Sequence, residues 1–295
     1  MISAGIVTFE PELRRLRDNL AAISPQVSTV VIFDNGSTNA AEVRSLAAEF
    51  DDVEVCQGGQ NFGIAAALNR LAAYAIDRGS DWLLTLDQDS VCPPGMVAAL
   101  AAARTPASAL ITPFIVDRNK QSLQDHRLEA LPATQEFRQS ARKGAITSGA
   151  LMRLEAWNVV GGFDEQFFID YVDYDFNQRV MDAGFTILRC NRTHLLHEVG
   201  HARRTWLRVP RKDINGVWRL ERFYSFGHSA ARCYYKARNR VLFTRKHGRT
   251  LGLTHEGAWQ IPQQIALTFL FESDRARKLR AFLRGTRDGL REDLR

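Results

Sequence analysis

Two carboxylates one residue apart close the apolar run Leu83-Leu84-Thr85-Leu86-Asp87-Gln88-Asp89-Ser90. On an extended backbone alternate side chains share a face, so Asp87 and Asp89 point together into the space beyond a strand's carboxyl end. Such a pair suits a hard divalent cation, Mg2+ or Mn2+, which prefers oxygen ligands and keeps positions open for water and substrate phosphates. A solvated turn is the competing account, because Asp and Ser are ordinary turn formers. A second acidic stretch, Phe167-Phe168-Ile169-Asp170-Tyr171-Val172-Asp173-Tyr174-Asp175-Phe176, sets three carboxylates among aromatics. Phe176, Val180 and Ala183 continue it at helical spacing, which puts Asp173 and Asp175 in a first turn where the helix dipole favours negative charge. Helix capping therefore competes with a chemical role, more for Asp175 than for Asp173, since capping does not call for the aromatic box ahead of it. His197 and His201 follow the apolar pair Leu195-Leu196; histidines so placed are usually packed or solvated.

The elements that must position these groups alternate. A strand from Ser3 to Phe9 ends at Thr8-Phe9-Glu10-Pro11, and Leu13, Leu16, Leu20 and Ile23 then fall on one helical face. Val27 to Phe33 is a β-branched run stopped by the turn signal Asp34-Asn35-Gly36-Ser37, which leaves another carboxylate at a strand end. A helix over Ala40 to Phe50 and a strand over Val53 to Cys56 follow. Gly58, Gly59, Asn61, Phe62 and Gly63 lead into an alanine-rich helix, Ile64 to Asp77, carrying Asn69. That loop either approaches phosphate at a helix amino terminus or serves tight packing by Ala65, Ala66 and Ala67. Trp82 to Leu86 is the fourth strand, Met96 to Ala103 a helix, and Ala109 to Val116 another strand. Asp117 to Arg142 is polar and reads as an excursion over the site. A strand at Thr147 to Met152, a helix at Leu154 to Val159, the turn Gly161-Gly162-Phe163-Asp164-Glu165 and a strand at Gly184 to Cys190 complete the pattern. Strands alternating with helices predict a mainly parallel, doubly wound α/β sheet with helices on both faces.

Beyond Trp206 the alternation stops. Ser225 to Lys246 is a basic, aromatic-rich helical stretch, Ile261 to Phe271 is apolar, and Ser273 to Leu294 is a basic amphipathic helix. The chain therefore divides into residues 1–205, a catalytic and ligand-binding domain, and residues 206–295, a basic helical extension for acceptor, membrane or oligomer contacts.

The 295 residues suffice for a full core. The net charge is +6, with the basic excess after His201 and many acids between Asp34 and Asp175; an acidic pocket with a basic flank is implied, and charge alone does not choose among phosphates, membrane and nucleic acid for that flank. Cys56, Cys92, Cys190 and Cys233 are scattered, which excludes a zinc knuckle or disulfide framework and suits a cytosolic protein. No signal segment or run of roughly 18 apolar residues is read.

The ordered set Thr8-Phe9-Glu10-Pro11, Asp34-Asn35-Gly36-Ser37, Asn61-Phe62-Gly63 and Asp87-Gln88-Asp89, followed by Gly161-Gly162-Phe163-Asp164-Glu165 through Asp173-Tyr174-Asp175 to Arg179, resembles the inverting family 2 glycosyltransferases. With Tyr234-Tyr235-Lys236-Ala237-Arg238-Asn239 it is most similar to bacterial rhamnosyltransferases of surface polysaccharide synthesis, such as O-antigen. The resemblance implies a GT-A domain, a dTDP-L-rhamnose donor, a hydroxyl acceptor on a lipid-linked or free oligosaccharide, and Mg2+ or Mn2+. It places Thr8, Glu10, Asp34, Asn61, Gly63, Asn69, Asp87 and Gln88 at the nucleotide, Asp89, Asp87 and His197 at the metal, and Asp173 as base. Phe168, Tyr171 and Asp175 fall at the acceptor, and Arg232 and Arg238 at phosphate. Many relatives carry Glu-Asp where this chain has Val172-Asp173, which leaves Asp173 alone as base. The expected protein is cytoplasmic, peripheral on the inner membrane face or oligomeric through its last helices, and binds no nucleic acid. A UDP- or GDP-sugar donor is the alternative within the family. A nucleotidyltransferase would show a Gly-rich basic loop where Thr8-Phe9-Glu10-Pro11 stands. A basic nucleic-acid or membrane module would make the acidic strand ends incidental, yet those ends repel phosphate unless a cation intervenes.

Overall fold

The computed structural model describes residues 1–117, 128–138, 140–141, 144–197, 203–212, 218–225, 227–251 and 257–294. Two compact units divide the chain. One comprises Met1–Ser140, Gly144–Phe168 and Val172–Glu198; the other comprises Ala141–Lys143, Ile169–Tyr171 and Val199–Arg295.

The first unit is built on an eight-stranded sheet. Its strands are β1 (Ile2–Thr8), β2 (Val30–Asp34), β3 (Val53–Gln57), β4 (Trp82–Asp87), β5 (Ser108–Asp117), β6 (Thr134–Glu136), β7 (Ala150–Arg153) and β8 (Thr186–His197). They lie in the order β3-β2-β1-β4-β7-β5-β8-β6. The pairs β1–β2, β1–β4, β2–β3 and β5–β8 are parallel, whereas β7 runs antiparallel between β4 and β5 and β6 is antiparallel on β8. The connecting helices are α1 (Leu13–Ile23), α2 (Ala40–Ala47), α3 (Ile64–Asp77), α4 (Met96–Ala102), α5 (Leu154–Val159) and α6 (Val172–Asp182).

Strand alternation distributes the helices over two faces. Ala4 and Ile6 of β1 join Val30, Ile32, Leu84 and Leu86 in a core with Leu16 and Leu20 of α1, Val43 and Leu46 of α2 and Met96 and Leu100 of α4. Gly5 faces the other way, where a side chain would press on Leu71 of α3. Each fully buried Leu, Ile or Val in this core contributes about 1.5–3 kcal/mol, which outweighs the weak helix preference of the β-branched strands. The doubly wound α/β architecture expected from the alternation is therefore present, with β7 and β6 reversed.

Two boundaries moved. The last strand extends well past Cys190, to His197, and the polar Asn191 and Thr193 are buried within it. Asn191 donates to the carbonyl of Pro132 at 2.8 Å, so its amide is satisfied inside the sheet edge. The polar excursion contributes β6 and a short 3-10 turn at Leu128–Ala130; residues 118–127, 139 and 142 of it lie outside the described residues.

The second unit holds an antiparallel hairpin, β9 (Arg203–Lys212) with β10 (Trp218–Ser225), and the helices α7 (Ala230–Leu251), α8 (Ile261–Phe271) and α9 (Arg275–Arg291). The helices match the expected extension, whereas the hairpin does not. Its strands are dense in arginine, a composition that hides the period-two signal. Helices α7 and α9 pack closely because Gly285 and Gly289 admit the backbone carbonyls of Tyr234 and Arg238, where any Cβ would collide. Cys233 and Ala237 of α7 bury against Phe282 of α9. Among the described residues no helix is long and apolar enough to cross a membrane.

Candidate active site

The carboxyl ends of four adjacent parallel strands, β3, β2, β1 and β4, bring the first group of residues level. Thr8 is in register with Asp34, Asp34 with Gln57, and Val7 with Asp87. In parallel α/β sheets the crevice beyond these ends is where ligands bind. Asp34 is buried, with 1% of its surface exposed. Its Oδ1 accepts from the Thr8 hydroxyl at 3.1 Å and the Ser37 hydroxyl at 2.5 Å, and Oδ2 accepts from the Ser37 amide at 3.1 Å. A carboxylate offers about four acceptor positions, so one remains, on Oδ2, for a further N–H.

Glu10 is wrapped back onto the same turn. Its amide donates to Ser37 Oγ at 2.9 Å, and its carboxylate accepts from the amide and hydroxyl of Thr38 at 2.8 and 2.7 Å. These bonds hold Glu10 at a φ of 48°. Gln88 accepts from the Phe9 amide at 2.9 Å and so ties the end of β4 to the end of β1.

The acidic turn after β4 is braced from below. Buried Asn19 donates to the Asp87 carbonyl at 2.8 Å, Asp87 donates its amide to Ser148 Oγ at 3.2 Å, and Ser148 and Ser90 share a hydrogen bond of 2.9 Å. Neither Asn19 nor Ser148 was anticipated as part of this region. Asn19 was visible as the polar interruption on the apolar face of α1, between Leu16 and Leu20; Ser148 carried no signal. Asp89 is half-buried and has no hydrogen bond or ion pair among the described residues. An antiparallel bridge between Val91 and Leu196 sets the backbone just past Asp89 beside the end of β8, one residue before His197. The His197 side chain lies outside the described residues. Among the described residues no three His, Cys, Asp or Glu side chains form a ready-made metal cage. A cation held by one or two carboxylates and completed by phosphate and water needs none, and the unpartnered Asp89 carboxylate beside Asp87 fits that donor set.

Helix α3 joins these strand ends to the second acidic stretch. Asn61 Oδ1 accepts from the Gly63 amide at 2.9 Å and from Asn35 at 3.1 Å. Gly63 adopts φ 87° and ψ 168°, a region open essentially to glycine alone, and lies directly beneath Phe168. Asn69, expected at the nucleotide, sits elsewhere in the network. Its amide donates to the Phe163 carbonyl at 2.9 Å and Glu165 at 3.0 Å, while its oxygen accepts from the Phe163 amide at 2.7 Å and Trp157 Nε1 at 3.1 Å. Two donors and two acceptor positions are all an asparagine has, so none is left for a ligand.

In α6 the two first-turn carboxylates part ways. Asp173 is half-buried and accepts from the Tyr174 amide at 3.0 Å. Asp175 is fully buried, and its Oδ2 accepts from Arg179, one turn on, at 2.8 Å. Asp175 is thus engaged by an arginine on its own helix, the ion pair that its first-turn position allows, whereas Asp173 stays partly accessible.

In the second unit, Asp170 and Tyr171 have φ of 62° and 68°, two consecutive non-glycine residues in the left-handed region, which costs of order 1–3 kcal/mol each. Tyr171, expected as an acceptor wall, is 5% exposed and its hydroxyl accepts from Arg240 at 2.6 Å. Arg232 forms a two-pronged ion pair with Asp170 at 3.2 and 3.0 Å. Arg238, expected at phosphate, is 9% exposed and pairs with Glu292, its Nε at 2.7 Å, so its charge is spent between α7 and the segment after α9.

The sequence model of glycosyl transferase family 2 matches residues 6–159, just over half of the chain. The chain belongs to glycosyl transferase family 2. This family 2 member is 27% identical over 256 residues to the dTDP-rhamnosyl transferase RfbF of Shigella flexneri, covering 83% of this chain and 80% of that protein. It is 29% identical over 232 residues to the N-acetylglucosaminyl-diphospho-decaprenol L-rhamnosyltransferase of Mycobacterium tuberculosis, covering 66% of this chain and 75% of the relative. Its backbone is similar to a crystal structure of GalNAc-T7 with UDP, GalNAc and Mn2+, at a TM-score of 0.54 and 13% identity, over 91% of this chain and 57% of that one. That likeness shows the fold, a GT-A-like arrangement of a large, mostly parallel sheet flanked by helices.

Proposed function

We propose that this family 2 transferase moves L-rhamnose from dTDP-L-rhamnose to a hydroxyl of a lipid-linked saccharide, with inversion at the anomeric carbon, in the synthesis of a bacterial surface polysaccharide. The observation that carries the transferase chemistry is the Asp89 carboxylate, partnerless among the described residues, next to the aligned strand ends of Thr8, Asp34 and Asp87. The choice of sugar rests on the two rhamnosyltransferases to which the chain is similar.

Asp34, with its one remaining acceptor position on Oδ2, receives an N–H of the pyrimidine. Thr8 and Ser37 hold that carboxylate still, and Glu10 holds Ser37 and Thr38 around it. Asp89 and Asp87, with His197, would hold Mg2+ or Mn2+, which when bound supplies charge neutralisation to the departing diphosphate. Asp173 Oδ accepts the proton of the acceptor hydroxyl. The oxygen's electron pair then forms the new bond to the anomeric carbon as the bond to the diphosphate breaks, and the negative charge leaves with the phosphate. A positioned carboxylate base is worth about a hundredfold to ten-thousandfold.

The last helix supports a peripheral place on an anionic membrane. At ~100° per residue, the exposed Leu279, Leu283 and Leu290 fall within about 40° of one another, and the exposed Arg277, Arg280, Arg284, Arg287 and Arg291 form the adjoining stripe. Each arginine near an anionic surface contributes about 1 kcal/mol, and the leucines enter the acyl boundary.

The test combines donor binding and turnover. In thermal shift with Mn2+, TDP is expected to raise the melting temperature of the full chain more than UDP or GDP, because a ligand of the native state alone stabilises it. Asp173→Asn is expected to keep that shift and lose transfer of rhamnose by at least a hundredfold. A uridine or guanosine preference removes the rhamnose reading, and normal turnover in Asp173→Asn removes Asp173 as base.

A further inference from the structure

Three polar residues of α7, Arg232, Asn239 and Arg240, close on the three-residue segment Ile169–Tyr171. Asn239, wholly buried, donates to the carbonyls of Ile169 and Asp170 at 2.8 and 3.1 Å. Arg232 grips the Asp170 carboxylate with two nitrogens, and Arg240 donates to the Tyr171 hydroxyl at 2.6 Å while its other arm donates to Gln264 at 2.8 Å. The Tyr171 ring also lies against Phe243, with ring centroids 5.5 Å apart. Positions 232, 239, 240 and 243 recur on about one helical face. Every residue of the Ile169–Tyr171 segment is thus held by α7, through backbone, charge or ring.

The segment so held is the one with two successive left-handed non-glycine residues. Such a conformation persists only when surrounding contacts over-determine it, and here α7 supplies them. The chain passes from Tyr171 straight into α6, whose second residue is Asp173. We infer that Arg232, Asn239 and Arg240 are positioning residues: they hold the strained pair Asp170–Tyr171, the two residues that lead covalently into α6, and through that junction fix the backbone from which Asp173 acts on the acceptor hydroxyl. This inference rests on the assignment of Asp173 as base. It also gives the Tyr-Lys-Ala-Arg-Asn-Arg run of α7 a task other than contact with diphosphate.

The experiment measures steady-state transfer and calorimetric binding of TDP with Mn2+ for the full-length Arg232→Gln, Asn239→Ala and Asp173→Asn variants. Arg232→Gln and Asn239→Ala are expected to lower kcat at least tenfold with nucleotide affinity within twofold of the parent. Arg232→Gln alters a half-exposed ion pair and carries the test if Asn239→Ala does not fold. Parental kcat in both α7 variants, beside an inactive Asp173→Asn, overturns the positioning role alone. Loss of nucleotide affinity in step with kcat also overturns it and returns α7 to donor binding. An active Asp173→Asn instead overturns the base assignment on which the inference stands.

Discussion

Ile64 donates its amide hydrogen to the carbonyl of Phe168 at 2.8 Å. The first free amide of α3 is thereby spent on protein, although a helix amino terminus after a glycine loop invites a phosphate. The same bond fixes the chain five residues ahead of Asp173. Gly63 and Ile64 therefore hold the loop that leads to the proposed base against the helix that follows the β3 turn.

Gly63→Ala tests that contact. The added methyl would lie 2.6 Å from the Phe168 carbonyl oxygen and 2.7 Å from its ring, on a backbone with φ 87°. A glycine-only conformation and an overlap with backbone each cost about 1–3 kcal/mol. The variant is expected to lose about 2–4 kcal/mol of stability in urea unfolding, and its transfer rate should fall further than its affinity for TDP. Parental stability would mean that Phe168 moves freely away from the helix.

Asn69 separates the two halves of the site in a measurable way. All four of its hydrogen-bonding positions are used within the Trp157–Glu165 region. Asn69→Ala leaves Trp157 Nε1 and the Phe163 amide without that acceptor, a loss of about 2–3 kcal/mol. The expected kinetic signature is a raised KM for the saccharide acceptor with TDP affinity within twofold of the parent, read by calorimetry. A tenfold loss of TDP affinity would restore Asn69 to the nucleotide.

The order of most strands and helices in the first unit was legible because β1, β2 and β4 are nearly continuous buried apolar runs followed by turns rich in Asp, Asn or Gly, whereas the short, polar and largely exposed β6 carried no such signal. The carboxylates at the ends of β2 and β4 were legible for the same reason. What each carboxylate does was not, because a side chain's partner comes from elsewhere in the fold. Asp34 and Asp89 look alike in sequence, yet one accepts from Thr8 and Ser37 with a single position left over and the other is partnerless among the described residues. Asp175 could have been separated from Asp173 by its arginine four residues on, an ordinary helical pair. Arg238 could not, since Glu292 lies 54 residues away.

A last consequence concerns acid. With Lys236 as an ammonium, His228 Nε2, 2.8 Å away, accepts from it and the imidazole is neutral; burial lowers the pKa of Lys236 as well. Burial, then the charges of Lys236 and Arg232, push the His228 pKa down to about 3, against a smaller opposing effect of Asp170. In the unfolded chain the same imidazole takes a proton near its ordinary value of 6.5. Between these limits the unfolded state binds a proton that the folded state refuses, so stability is fully present above about pH 6.5 and declines as pH falls toward 3. In His228→Gln the amide oxygen can still accept from Lys236 but does not titrate. Urea unfolding at pH 7.5 and pH 5 is expected to show a smaller drop in stability for this variant than for the parent. An equal drop in both would mean that the imidazole is already protonated in the folded protein, with Lys236 turned away from it.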